Sequence, residues 1–411
     1  MKKIFLLFLI SLLTLSTVAD EYTDPETNVI YVYKQGIPNA TVKCGDVADW
    51  DNGDTEYVSG NPDAKGDVRI LDKFTVNNEE YVVTGIGSLS FVLNKDITSV
   101  FIPSTIENVD MESFLECSSL KNVYMSERLK TIGYRAFSGC VSLSSLELPE
   151  GLERIGFEAF ASCTALKSVH IPSSVTTIGR LPFLECDNLE SLSVADGNMF
   201  FDSREGCNAV IEKATDRLVI GCKTTVIPLT VVSVGEEAFS RCGSLKEIVI
   251  PESVKTIESN AFYRCKGLTE VILPQSLQSI GESAFAQTAI QCITIPSGVE
   301  SIGLWAFSSS TIETVISLIE EPFAVPDLCN FPRPNPILFV PAGTKGIYEA
   351  TNGWNRFKSI IVLDEAGMVD FSIPKYAKTP LNTYFDLCGC CLDCLPPRGI
   401  YIQNGRKVVV R

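Results

Sequence analysis

One histidine, His170, stands in the 411-residue chain, and its scarcity excludes every metal site that needs two imidazoles. A nucleophilic triad would have to be assembled on that single ring. No glycine-rich loop of the phosphate-cradling kind joins a strand to a helix. Positive charge is also short: 34 Lys and Arg face 50 Asp and Glu, a net charge of −16. With no basic stripe to override it, such a body repels phosphate backbones, so nucleic acid is not an expected partner. The apolar run at the start of the chain is too short to cross a bilayer as a mature helix, and nothing later resembles a membrane segment.

That first segment is distinctive. Met1-Lys2-Lys3 precedes an apolar run from Ile4 to about Leu15, and Thr17-Val18-Ala19 puts small residues where a signal peptidase reads. The pattern predicts a secretory signal peptide over residues 1–19 and a mature chain starting at Asp20. No cysteine follows the run, so a lipid anchor is not expected. Loss of Lys2 and Lys3 takes the net charge from −16 to −18.

The body of the chain is periodic. Phe91, Phe114, Phe137, Phe160 and Phe183 recur every 23 residues. The series resumes at Phe239, Phe262 and Phe285 and ends at Phe307, one residue short. The 56 residues between Phe183 and Phe239 amount to one repeat plus a 33-residue insertion, placed within about 190–225. The other positions keep step, as in Leu166, Val169, Ile171, Pro172, Val175, Ile178, Gly179, Phe183 and Cys186. Val-x-Ile predicts a short strand with both apolar side chains on one face, which proline then ends. The glycine after the second isoleucine suits a corner with unusual backbone angles. The Ala-Phe segment reads as a short helical or irregular turn on the opposite side. One coil buries too little apolar surface to order itself, so the coils must stack, with ten strands forming a parallel sheet along one side.

The frame Leu-x-x-Val-x-Ile-Pro-x-x-Val-x-x-Ile-Gly-x-x-Ala-Phe-x-x-Cys resembles the BspA-like leucine-rich repeat family of bacterial, Bacteroidetes-type secreted and surface proteins. The resemblance covers roughly residues 80–318 and implies a leucine-rich-repeat solenoid. Such a fold is mostly β, with a parallel sheet on one face, short helical or irregular turns on the other, and caps at both ends. It also implies export and adhesion to a host matrix or a neighbouring cell. The insertion around Cys207, Asn208 and Cys222 is similar to one the family tolerates.

Around the solenoid (81–318) the chain divides into an N-terminal cap (20–80), a C-terminal cap (319–363), a linker (364–383) and a tail (384–411). The N-terminal cap carries alternating segments at Tyr31-Val32-Tyr33 and from Tyr81. The C-terminal cap is rich in proline and brings Tyr348, Trp354, Phe357 and Ile360. The tail resembles the short C-terminal sorting tails of Bacteroidetes secreted proteins. It departs from them in holding Cys390 and Cys391 where arginines usually stand. Asn404-Gly405 predicts a hairpin turn.

Fifteen cysteines in an exported chain usually mean disulfides. Here Cys117, Cys140, Cys163, Cys186, Cys242 and Cys265 each fall three residues after the repeat phenylalanine. They read as a buried structural ladder, with bridges between adjacent coils as the alternative. Cys44, Cys207, Cys222, Cys292 and Cys329 lie outside the ladder. Cys388, Cys390, Cys391 and Cys394 are a dense cluster, but structural zinc sites draw two pairs from separate loops, so no metal and no cofactor are expected.

What remains is the outward residue of each strand: Phe101, Tyr124, Glu147, His170, Ser193, Val226, Val249, Ile272, Thr294 and Ile316. Of these, Phe101, Tyr124, His170, Val226, Val249 and Ile272 are the candidate ligand-binding residues. An outward apolar stripe marks an interaction surface; plain β-propensity is the competing explanation. The leading expectation is a non-catalytic, adhesin-like protein that binds a protein or glycan macromolecule and meets the export machinery through its signal peptide, with the tail as a second candidate contact. The alternative is a glycan-capture protein of a polysaccharide-uptake system, against which the three tryptophans (Trp50, Trp305, Trp354) stand scattered. An enzyme would need a carboxylate pair such as Asp202 and Glu205.

Overall fold

The computed structural model describes residues 19–49, 55–308, 311–326, 336–357 and 359–363. It also describes the tail strands Tyr384–Phe385, Cys391–Leu392, Gly399–Gln403 and Arg406–Val410. Most of the expected signal peptide, the linker, Trp50, Cys329, and the thiols of the tail cysteines lie outside the described residues. The chain divides into two compact units. One runs to Leu166 and includes Ser174–Phe183; the other comprises Lys167–Ser173 and everything from Leu184.

In the first unit, Gly66–Arg69, Ile97–Phe101 and Asn122–Tyr124 pair in parallel, placing Arg69, Phe101 and Tyr124 in register. Their apolar neighbours Val68, Val100 and Val123 point into the core. A second parallel ladder runs through the Thr-Ile pairs. Ile86 lies opposite Val109, and Ile132, Ile155 and Ile178 follow. This ladder was not foreseen, because a two-residue rung is too short to show an alternating pattern. Between the ladders stand Phe91, Phe114, Phe137, Phe160 and Phe183, stacked at 4.9, 5.0, 5.5 and 5.8 Å between ring centroids. At the N-terminal end, antiparallel strands Asp20–Thr23, Ile30–Lys34 and Ile37–Val42 lead into Glu79–Ile86, which opens the Thr-Ile ladder. Tyr22 stacks on Phe74 there at 4.5 Å, beside the buried Tyr31.

The second unit repeats the scheme. Ser168–Ile171 pairs with Ser191–Val194, and Glu247–Val249 with Glu270–Ile272. Cys292–Ile295, Thr314–Ser317, Ile337–Val340 and Ser359–Val362 form a four-strand parallel sheet. The insertion is an antiparallel meander of Phe201–Asp202, Ala209–Glu212 and Arg217–Gly221, whose last strand opens a Thr-Ile-type ladder running to Ser301–Ile302. Phe239, Phe262, Phe285 and Phe307 stack at 4.9, 5.1 and 5.7 Å. Tyr348 and Trp354 are fully buried at the C-terminal end. There Trp354 donates to the Phe323 carbonyl at 2.9 Å and Tyr348 to that of Ile319 at 2.7 Å. In the tail, Gly399–Gln403 pairs antiparallel with Arg406–Val410, with Gln403 opposite Arg406, as the hairpin expectation required.

Two expectations change and one is narrowed. The outward strands form separate hydrogen-bonded pieces rather than one ten-strand sheet: the chain around Glu147 and Val226 is not in a strand. At Val226 the reason is visible, since its N–H is taken by the Cys207 carbonyl of the insertion at 3.0 Å. The Ala-Phe turns take the irregular of the two expected forms, and they carry left-handed backbone at two positions four residues apart. Examples are Glu112 and Glu116, Glu158 and Ser162, and Asn260 and Arg264, with φ between 51° and 59°. That geometry aims N–H groups at the next coil, as Phe114 to Ala136 (2.8 Å) and Glu116 to Ser138 (2.7 Å).

Finally, the glycine after isoleucine serves close approach, not an unusual angle. A Cβ on Gly156 would lie 2.5 Å from the carbonyl carbon and oxygen of Gly133 and 2.8 Å from the nitrogen of Tyr134. Those atoms are backbone of the neighbouring coil and cannot yield alone. Gly156→Ala is therefore expected to cost about 1–3 kcal/mol. Gly346, where an added Cβ meets nothing within 4 Å, lies in the helix Lys345–Ala350. There alanine should be neutral or stabilising by up to about 1 kcal/mol. Urea midpoints of the two variants check the contrast.

Candidate binding surface

On the first unit, the Phe101 and Tyr124 rings stack at 4.4 Å and 10°, and the Arg69 guanidinium lies 4.0 Å over the Phe101 ring. Phe101 is half-buried, Tyr124 is 51% exposed, and Glu147 is exposed. The stack follows from in-register pairing, which sets Tyr124 one rung from its repeat equivalent Phe101. A further exposed row was missed by sequence reasoning. It consists of the exposed Met111 and Tyr134 and the half-buried Phe157, with Tyr134 and Phe157 stacked at 5.6 Å. Beside it Arg135 reaches Glu112 at 3.0 Å and Glu158 at 3.5 Å. The 23-residue spacing of these positions stands in the sequence, but three unlike side chains there leave no repeated residue to mark it.

On the second unit, Val226 is 73% exposed, Val249 61% and Ile272 55%, with Val249 and Ile272 in register. Their neighbours Ile248 and Ile250 are buried, so the alternation of faces is complete. Ile316, expected in the outward row, is buried at 3% exposure in a cluster with Phe339 and Leu363, which the C-terminal strands bring over it. His170 is exposed, and its Nδ1 lies 2.9 Å from Ser193 Oγ. Among the described residues no carboxylate bonds to that ring, and the pair lacks the orienting third group of a triad. Asp202, the other catalytic candidate, is held by Arg204, which makes two hydrogen bonds to it at 2.9 Å and one to Asp216 at 2.6 Å. This is a strut across the insertion, and Glu205 takes no part in it.

The cysteine position is a ladder of buried donors. The Sγ of Cys117 donates to the Phe91 carbonyl at 3.0 Å, and Cys140 to Phe114 at 3.2 Å. Cys163 donates to Phe137 at 3.3 Å, and Cys265 to Phe239 at 2.9 Å. All six ladder thiols are free. Where cysteine is absent, another donor stands. Asn94 bonds to the Asn61 and Ala64 carbonyls, and Thr288 to that of Phe285. Burial pushes the thiols of Cys117, Cys140 and Cys265 well up, and that of Cys242 to about 12. Cys292, off the ladder, is disulfide-bonded.

A shallow groove of about 480 Å³ runs along the Thr-Ile ladder of the second unit. Thr256, Ser279, Ser301, Glu236 and Glu258 line it, with Ser279 Oγ donating to Thr256 Oγ1 at 3.1 Å. Arg217 makes two hydrogen bonds to Glu258, at 2.8 and 2.7 Å, which hold that carboxylate below its usual range against the opposing effect of burial. Among the described residues no group of three or more His, Cys, Asp or Glu side chains is arranged to hold a metal ion. No described helix is long and apolar enough to cross a membrane.

Stacked coils, parallel ladders and one phenylalanine per turn define a leucine-rich-repeat solenoid. The chain belongs to the family described as BspA type leucine rich repeat region, whose six-copy model matches residues 84–205 and 220–320. A leucine-rich repeat protein from Bacteroides ovatus is 23% identical, with a TM-score of 0.50 over 85% of this chain and 77% of that one. The pneumococcal vaccine antigen PcpA is 19% identical, with a TM-score of 0.57 over 84% of this chain and 99% of its own. At these identities the likeness speaks to the fold. No curated protein matches the chain.

Proposed function

We propose that the chain is an exported, non-catalytic, adhesin-like protein that holds a host or microbial protein against its outward strand face. Residues 1–19 direct export in this reading. Residues 20–80 and 319–363 cap a solenoid of residues 81–318. Residues 364–383 link it to the tail, 384–411, which engages the export machinery. The observation that carries the proposal is the exposure of Val249 and Ile272, at 61% and 55%, on a backbone fixed by parallel pairing, with Val226, 73% exposed, one repeat before them. Apolar groups held rigidly in water lose little further entropy on being covered, and contiguous apolar surface of this kind marks contact sites.

A second reading, glycan capture, is favoured by the hydroxyl-lined groove along Thr256, Ser279 and Ser301. Trp305, 45% exposed, stands two residues beyond the Gly303 that borders this groove.

Both are tested by binding the mature chain to an array of matrix proteins, mucins and polysaccharides. Beside it runs a variant carrying Phe101→Ser, Tyr124→Ser, Val249→Ser and Ile272→Ser. Saturable binding to a protein, weakened at least about tenfold in the folded variant, is the expected result, since several apolar contacts are removed at once. Protein binding that the variant retains in full places function elsewhere. Binding to a polysaccharide that is lost on Thr256→Val and Ser279→Ala favours the glycan reading.

A further inference from the structure

We propose that the first unit's outward face takes an arginine side chain of a partner protein, seated on the free face of Tyr124 and paired with Glu147. The inference rests on the strand face being the binding surface and adds the partner's charge and its docking point. Three layers of the seat exist already. Arg69 lies over one face of Phe101 at 4.0 Å, and Tyr124 stacks on the other at 4.4 Å. The chain's own guanidinium thus caps one end of the stack, and both faces of Phe101 are occupied.

At the other end, no described ring or cation lies over the second face of Tyr124, a residue 51% exposed. The next outward residue, one repeat on, is Glu147, exposed and without an ion pair among the described residues. Asn122–Tyr124 is the edge strand of its three-strand sheet and the chain around Glu147 is not in a strand, so no paired rung stands against the second face of Tyr124. A guanidinium is planar, is drawn to the negative face of an aromatic ring, and pairs with a carboxylate through its N–H fork. A sugar is disfavoured there, because the stacked rings stand along the coil axis and offer no broad open face to solvent. The net charge of −16 draws a basic partner from a distance.

The test is titration of the full mature chain with a fluorescent peptide of alternating arginine and glycine. The isosteric peptide with citrulline in place of arginine is the uncharged control. Tyr124→Leu removes the ring at constant charge; because Tyr124 is exposed, the variant should fold, and circular dichroism checks this. Arginine-peptide binding is expected to weaken roughly 2- to 30-fold in Tyr124→Leu and to be kept in Tyr124→Trp. Glu147→Gln should weaken it and flatten its salt dependence, and the citrulline peptide should not bind.

Equal binding by Tyr124→Leu, or no binding of the arginine peptide at all, overturns the proposal. The broader reading is scored separately with Val249→Ser/Ile272→Ser against the array's protein partner. If that double variant loses the partner while Tyr124→Leu keeps it, the strand face stands and the arginine seat falls. If neither variant matters, both fall.

Discussion

Phe137→Ala is expected to destabilise the first unit by about 3–5 kcal/mol, the range for emptying a fully buried aromatic site. Phe137 is wholly inaccessible and lies between Phe114 at 5.0 Å and Phe160 at 5.5 Å, each ring within 3° of parallel. Removing the middle ring breaks two stacking contacts, and its neighbours cannot close the gap. Their positions are fixed by backbone bonds between coils, Phe114 N–H to the Ala136 carbonyl at 2.8 Å and Phe160 N–H to that of Pro182 at 2.9 Å. In a stacked repeat protein the loss falls on the contacts between adjacent coils. Urea unfolding should therefore show an earlier and broader transition. Phe157→Ala is the control: that ring stacks on Tyr134 but is only half-buried, and should cost about 1.5 kcal/mol or less. Equal losses in the two variants would mean that the buried stack does not organise the coil.

Stability should be level up to about pH 8 and fall steeply above pH 9. Burial raises the thiols of Cys117, Cys140 and Cys265 well above their ordinary value of 9.0, and that of Cys242 to about 12. The folded state therefore keeps these protons while the unfolded chain gives them up. Below the unfolded value both states are protonated, and the preference is fully present. As pH climbs from 9 toward the folded values, the unfolded state gains by ionising, and each buried thiol withdraws about 1.4 kcal/mol per pH unit. Tyr348, raised to about 12, joins only above its ordinary value of 10.0, so the interval from pH 9 to 10 isolates the cysteines. Urea midpoints across that interval should fall less in a Cys140→Ala/Cys265→Ala variant than in the parent. An unchanged slope would contradict the burial of the ladder.

The solenoid was legible because stacking demands the same answer on every rung. A phenylalanine that must lie on the previous phenylalanine, and a strand that must pair with the previous strand, leave a period of 23 in the sequence. The left-handed turn positions were not legible. Glu112, Arg135, Ser283 and Trp305 all occupy one of them, with φ from 47° to 57°. There the backbone is set by hydrogen bonds to the neighbouring coil, which any residue's N–H can make, and the side chains carry no signal. The role of glycine was misread for a related reason: the sequence shows where a Cβ is missing but not which backbone passes close by. Within the candidate surface, the outward row was readable at Tyr124, His170, Val249, Ile272 and Thr294, while at Glu147 and Val226 the expected strand is not formed. It failed at Ile316, whose cover, Phe339 and Leu363, comes from strands beyond the repeat. The Arg69 layer over Phe101 was invisible, since Arg69 lies before the first recognisable repeat.

The central claim is that the outward strand face is the surface that meets a partner. It is tested most directly by placing a photo-crosslinking amino acid at Val249 in one sample and at Gln287 in another. Gln287 belongs to the irregular turns, with φ of 59°, while Val249 is 61% exposed on the strand face. With the partner identified on the array, the account expects a crosslinked product from position 249 and none from 287. A product from 287 alone would contradict it and move the binding surface to the turns.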